Sequence, residues 1–292
     1  MKPSMPPVFP SLLISLGLAH AASAALLVNE TYDNYDPVDF PSTGTTPFTG
    51  PATNAIGLTE NYTVNNPGGG SGYRFVAGGL AFADYNTNAP AGRMLVYRSN
   101  SGGTTIAARL SLSSSVTGTL YSSYLVNIDA AGTNSSSFTE VRVTTNSGDS
   151  GASSRFRSQV DSSVTDQNGP GTSYSGNTSA AGVGTALALD TTFMVISRFT
   201  NVGTALSAGT PGTATTFVLD AAQYLAFQAT GYSESYLDSG AVTARISGTP
   251  LETGGPLSFA NGQFIQIGGL GTTSGITYID ALKYGTDLTS VV

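Results

Sequence analysis

The sequence predicts an all-β protein built as a two-sheet antiparallel β-sandwich. Its apolar segments alternate with period two, and they are separated by Gly-, Asn-, Ser- and Pro-rich clusters such as 66–70 and 168–171. Hydrophobic residues make up 40% of the 292 residues and charged ones only 10%, with 14 Tyr and 13 Phe. Such side chains suit a pleated surface that is half buried.

The first residues read as a secretory signal. Lys2 supplies a positive n-region, Val8 to Ala19 form a mostly apolar run, and Ala21-Ala22-Ser23-Ala24 offers a small-residue cleavage site. The run is shorter than the about 20 residues needed to cross a bilayer. Residues 1–24 are therefore expected to leave, and 25–292 to form a single domain. The mature chain keeps ten basic residues, one fewer than the full chain's 11, against 18 acidic ones, so its formal charge becomes −8 rather than −7. An acidic, lysine-poor surface does not suit nucleic acid. No transmembrane segment is expected in the mature chain. The absence of cysteine excludes disulfides and thiolate metal sites, and the lone His20 lies in the signal.

Along the mature chain, Leu120, Tyr124, Val126 and Ile128 share one strand face. Phe193, Val195 and Phe199 share another, opposite Met194, Ile196 and Arg198. Ile106, Ala108, Leu110 and Leu112 alternate with Arg109 and Ser111, and Thr139, Val141 and Val143 with Glu140 and Arg142. Ile265 and Ile267 are expected to pair with the run 275–283. The segment Leu219 to Ala229 fits a short helix or a strand. Pro41 to Thr53, Asp161 to Gly184 and Gly203 to Thr215 read as long surface loops. No strict internal repeat points to a propeller or solenoid.

Four stretches carry a resemblance. Leu26-Leu-Val-Asn-Glu-Thr-Tyr-Asp-Asn-Tyr35, Gly118-Thr-Leu-Tyr-Ser-Ser-Tyr-Leu-Val-Asn-Ile128, Leu189-Asp-Thr-Thr-Phe-Met-Val-Ile-Ser-Arg-Phe199 and Tyr278-Ile-Asp-Ala-Leu-Lys-Tyr-Gly-Thr286 follow one another in order. Together they resemble secreted bacterial proteins of the PEP-CTERM-associated type, which are similar to concanavalin-A-like or laminin-G-like jelly rolls. The resemblance implies a jelly-roll fold and a secreted, extracellular or cell-surface setting, and no shared reaction. The sequence stops at Val292 without a Pro-Glu-Pro motif, so anchorage by that sorting tail is not expected.

Catalytic motifs fail on missing side chains. Gly148-Asp149-Ser150-Gly151 resembles the turn around a serine-protease nucleophile, but residues 25–292 contain no histidine to act as base. A serine–lysine variant would have to use Lys283. Glu234 and Asp238, four apart in what reads as a loop, are the nearest approach to a hydrolase carboxylate pair. Thr139-Glu140-Val141-Arg142 and Gln266-Ile267-Gly268 resemble two strands of jelly-roll alginate lyases, with glycine replacing the expected histidine and Tyr278 or Tyr284 as the tyrosine. No catalytic residue is assigned.

Binding chemistry remains. Asp33, Asp36 and Asp39 recur every third residue and suit a structural calcium, since hard cations prefer carboxylate and carbonyl oxygens. Arg155 and Arg157 share a strand face and fit an acidic sugar. Tyr97 and Tyr121 are candidate stacking platforms, because tyrosine combines an apolar ring with a hydroxyl. The 68–72 glycine run lacks a following Lys-Ser/Thr and reads as a loop. The expectation is a non-catalytic surface or matrix module that contacts extracellular polysaccharide. A polysaccharide-active hydrolase or lyase and a self-assembling surface subunit stand as alternatives. N-terminal sequencing of the exported protein is expected to begin at Ala25; a start at Met1 would remove the signal assignment.

Overall fold

Alternation of side chains sorts the strands into two antiparallel sheets. The structure is a computed structural model, and it describes residues 25–32, 35, 55–65, 72–85, 92–98, 104–130, 138–145, 156–161, 168–174, 180–183, 187–270 and 275–292. In chain order the first strands are β1 (Leu26–Glu30), β2 (Leu58–Asn65), β3 (Gly72–Ala77), β4 (Gly92–Arg98) and β5 (Thr104–Leu110). Next come β6 (Gly118–Ala130), β7 (Phe138–Thr144), β8 (Phe156–Asp161), β9 (Asn168–Tyr174) and β10 (Ala180–Val183). After β11 (Thr192–Val202) and β12 (Ala214–Leu219), helices α1 (Ala221–Ala229) and α2 (Glu234–Asp238) interrupt the pattern. The chain then completes β13 (Ala244–Ser247), β14 (Phe264–Leu270) and β15 (Gly275–Gly285).

Among the described residues, one sheet has eight strands in the order β13-β12-β11-β6-β15-β4-β3, with β1 also paired to β15. The other has seven, in the order β10-β9-β8-β7-β14-β5-β2. The chain passes repeatedly from one sheet to the other, giving a jelly-roll sandwich as expected.

The core lies between the sheets. Leu120, Tyr124, Val126 and Ile128 of β6, with Phe193, Val195 and Phe199 of β11, meet Val141, Val143, Phe156, Ile265 and Ile267 of the facing sheet. A second apolar cluster covers the other face of the eight-stranded sheet. There Tyr121, Leu125, Met194, Ile196 and Phe217 pack beneath Tyr224 and Phe227 of α1, Leu237 of α2, and Leu288 and Val291 of the C-terminal turn.

Three sequence expectations need correction. β14 does not pair with β15: it pairs with β7 and β5, whereas β15 pairs with β6, β4 and β1. Both strands carry alternating apolar residues, and these meet face to face across the core rather than edge to edge. The segment 161–184 contains β9 and β10 rather than only loop. Glu234 to Asp238 is helical, not a loop. The ambiguous segment 219–229 divides: Leu219 ends β12 and 221–229 form α1. The division falls at Asp220, whose carboxylate accepts from Gln223 N at 2.8 Å while Gln223 Oε1 accepts from Asp220 N at 3.0 Å. This is a capping box.

Lys283 lies on the same outer face, its ammonium 4.3 Å from the centre of the Tyr85 ring. Burial lowers its pKa from 10.5 to about 8. Between these two values the unfolded chain holds a proton that the folded chain has released, so stability rises with pH through that window. Below pH 8 both states are protonated and the cost of the buried charge is fully present. Urea midpoints are therefore expected to be higher at roughly pH 9.5 than at roughly pH 7.5, and Lys283→Met is expected to remove the difference.

Candidate functional site

The outward face of the seven-stranded sheet is polar where its inward face is apolar. Val141 and Val143 enter the core, so Glu140 and Arg142 of the same strand point away from it. In the neighbouring strands, Gln266 lies opposite Arg142 and Gly268 opposite Glu140, while Arg157 lies opposite Arg142 on the other side. Four side chains from β7, β8 and β14 thus come together. Arg142 Nε donates to Gln266 Oε1 at 2.8 Å, Arg142 Nη1 pairs with Glu140 Oε1, and Arg157 Nη1 lies 3.4 Å from Glu140 Oε2. Although they face outward, Glu140, Arg142 and Gln266 are only 4%, 3% and 0% exposed. Arg157 Nε is buried and makes no hydrogen bond.

Gly268 makes this packing possible. A Cβ there would stand 3.0 Å from Glu140 Oε1 and 3.2 Å from its Cγ, so the space a side chain would fill is taken by the glutamate. The position where the lyase resemblance calls for histidine is therefore closed. Neither candidate tyrosine reaches that position: Tyr284 is buried between the sheets, and Tyr278 lies on the outward face of the opposite sheet.

Farther along the same outward face, Arg109 of β5 is paired in register with Phe264 of β14, its guanidinium 5.7 Å from the centre of the ring. Sequence alternation had placed Arg109 opposite the core residues of its strand. What it lacked was the strand order, which sets Arg142 and Arg157 on adjacent strands about 4.8 Å apart and Arg109 two strands beyond Arg142, across β14.

The other candidates lie elsewhere. Tyr121 is 6% exposed on the opposite sheet, where its hydroxyl donates to Glu234. Burial and that hydrogen bond push its phenol well up. Its ring is covered by the helical cap, so it presents no open stacking face, and it does not meet Arg157. Tyr97 is placed by its backbone in β4, opposite Gly72 and Ile276; its side chain lies outside the described residues. Arg155, the aspartates Asp33, Asp36 and Asp39, and the 148–151 turn also lie outside them.

Two catalytic candidates are engaged by other partners. Glu234 and Asp238 sit one helical turn apart on α2, and both bind Arg198: Nη1 is 2.5 Å from Glu234 Oε2 and Nη2 is 3.0 Å from Asp238 Oδ1. Arg198 holds the Asp238 carboxyl below the usual carboxylate range. Lys283 lies opposite Ser123 in register, but the Ser123 hydroxyl donates to the Val291 carbonyl, and Ser123 is fully buried. Among the described residues no group of three or more metal-ligating side chains comes together. No helix there is long and apolar enough to cross a membrane.

No protein-family model matches the chain, and no curated protein matches it. Among solved structures it is similar to the T. cruzi calreticulin globular domain, at 9% identity over 91% of this chain and 90% of that one, with a TM-score of 0.49. It is also similar to the Emp47p carbohydrate recognition domain, at 6% identity over 73% and 88%, TM-score 0.39. The VIP36 exoplasmic/lumenal domain in its Ca2+/Man3GlcNAc-bound form is a third, at 12% identity over 74% and 83%, TM-score 0.36. At these levels the likeness is to overall shape, and no site residue is assigned from it.

Removing Glu140 would leave two buried guanidiniums facing each other. Glu140→Gln is expected to destabilise the fold by about 3 kcal/mol in urea titration, whereas Glu140→Leu with Arg142→Met is expected to recover most of that loss.

Proposed function

We propose that the chain is a secreted, non-catalytic module that binds anionic polysaccharide on the outward face of its seven-stranded sheet. The observation that carries this reading is an inversion of charge. On a mature chain of formal charge −8, the described side chains of that face include the exposed Arg109 and the partly exposed Arg157, with Arg142 and the single described carboxylate, Glu140, buried beside them. Arginine's planar fork matches a carboxylate or sulfate through paired hydrogen bonds, and it stays charged at any physiological pH. Arg157 keeps Nη1 3.4 Å from Glu140 Oε2 and leaves 12% of its side chain exposed. Phe264, partly exposed beneath Arg109, adds an apolar surface for sugar C–H groups.

Glu140, the carboxylate among the described side chains of the face, is committed to two guanidiniums and is not free to move a proton. This supports binding rather than turnover. The signal-like residues 1–24 and the resemblance to secreted bacterial jelly rolls support an extracellular or cell-surface setting. Calcium at Asp33, Asp36 and Asp39 belongs to the same reading, as a structural ion.

Isothermal titration with polygalacturonate and with alginate, each with and without calcium, tests the proposal. Binding is expected to weaken as salt rises, because exposed charge interactions are screened. Arg157→Gln and Arg109→Gln are each expected to lower affinity about tenfold, the effect of one charge-assisted hydrogen bond. No binding to either polymer would sink the binding reading, and release of unsaturated sugars would sink its non-catalytic part.

A further inference from the structure

Glu30 ends β1 two residues after Val28 and shares its inward face, so its carboxylate is buried at 1% exposure. The Tyr32 N–H donates to Glu30 Oε1 at 2.9 Å. The hydroxyls of Tyr35 and of Tyr62, on β2, donate to Glu30 Oε2 at 2.7 and 3.2 Å. Two phenols therefore converge on one carboxylate oxygen. Their ring centres are 6.0 Å apart, with 63° between the planes. Tyr35 also stacks on Phe75, at 4.0 Å and 9°. Tyr62 is buried, whereas Tyr35 is half-buried and open to small molecules in solution.

This arrangement favours one chemistry. A phenol that loses an electron becomes a strong acid, so its oxidation is easy only where a base stands ready for the proton. Burial and the neighbouring Glu30 charge hold the Tyr62 phenol well above its ordinary pKa. Phenolate is then not the species oxidised, and the proton has to leave as the electron does. Glu30 Oε2 is within hydrogen-bond reach of both phenols to accept it. Convergence on one oxygen also brings the carbons ortho to the two hydroxyls close together, and the 63° between the planes suits a biaryl bond, whose rings stand twisted.

Other easily oxidised side chains do not compete. The chain has no cysteine and no tryptophan, and Met94 and Met194, the methionines of residues 25–292, are both buried. Tyr85, Tyr224 and Tyr232 approach one another at 5.8 and 6.2 Å, but among the described residues no carboxylate accepts from their hydroxyls. Tyr121 does donate to a carboxylate, that of Glu234, but Arg198 is paired with it. Tyr32 sits beside Tyr35 at 6.4 Å, yet its buried hydroxyl makes no hydrogen bond.

We propose that Tyr35 and Tyr62 form an oxidative cross-linking site, in which a one-electron oxidant couples the two rings and Glu30 takes the phenol proton. Each oxidation passes one electron to the oxidant and one proton through Glu30 to solvent, leaving a neutral phenoxyl radical. The two radicals pair to form a carbon–carbon bond between the positions ortho to the hydroxyls. The hydrogen on each joined carbon then moves to the ring oxygen, which restores both hydroxyls. In all, two electrons and two protons leave, and the product is dityrosine. The bond ties the segment after β1 to β2. It gives a cysteine-free chain the constraint that a disulfide supplies elsewhere.

The test is oxidation of the purified protein by photolysed ruthenium(II) tris-bipyridine with persulfate, followed by intact mass, dityrosine fluorescence and peptide mapping. The expected product is a monomer lighter by two hydrogen atoms, with Tyr35 joined to Tyr62 and a raised urea midpoint. Tyr35→Phe, at a half-buried position, is expected to abolish it, and Tyr278→Phe to leave it unchanged. Glu30→Gln, checked for native circular dichroism, is expected to slow it about a hundredfold. A cross-link that persists in Tyr35→Phe, or that maps to other tyrosines, would overturn the proposal. So would products that are only intermolecular, or a Tyr35–Tyr62 yield that denaturing urea leaves unchanged. An unaltered rate in folded Glu30→Gln would overturn the role of the carboxylate.

Discussion

The eight-stranded sheet carries apolar side chains on both of its faces, and each face has to be covered. Along β6 the alternation is apolar on both sides, with Leu120, Tyr124 and Val126 pointing one way and Tyr121 and Leu125 the other. One face is satisfied by the second sheet. The other is satisfied by two short helices, the segment around Phe82 and the C-terminal turn. The seven-stranded sheet has only one such demand. Its outward side is therefore available for polar residues, and the arginines gather there.

Strand alternation made much of this legible. The inward residues of β5, β6, β7 and β11 can be read from period two alone, because a strand with one buried face has to repeat every second residue. Pairing could not be read in the same way. Ile265 and Ile267 resemble a partner for the strand after them, and nothing local says that the connection between them crosses from one sheet to the other. The helical cap carried a signal that pattern reading passed over, in Asp220 and Gln223 three residues apart. For α2 the signal is weaker, since Ser233 caps only five residues and Arg198, which holds the helix down, is 36 positions away from Glu234.

The candidate faces divide along the same line. Arg157 was visible as an outward arginine, but its neighbours Arg142 and Arg109 become part of one surface only through register across β8, β7, β14 and β5. Tyr121 misleads for the opposite reason. A tyrosine in a strand has the same appearance in sequence whether it meets solvent or a helix. The Asp190 N–H donates to the Ile128 carbonyl, tying a loop to the end of β6, and composition gives no hint of that contact.

The position of β15 has a further consequence. It is the last strand in the chain, yet it sits inside its sheet and pairs with β6, β4 and β1, including Leu26 with Gly285. Until it arrives, the middle of that sheet has no hydrogen-bond partner, and β6 cannot complete its ladder. Closing contacts of such sequence separation is slow, because the chain entropy is lost before the contacts form. The eight-stranded sheet is therefore expected to close late in folding, when β15 docks between β6, β4 and β1.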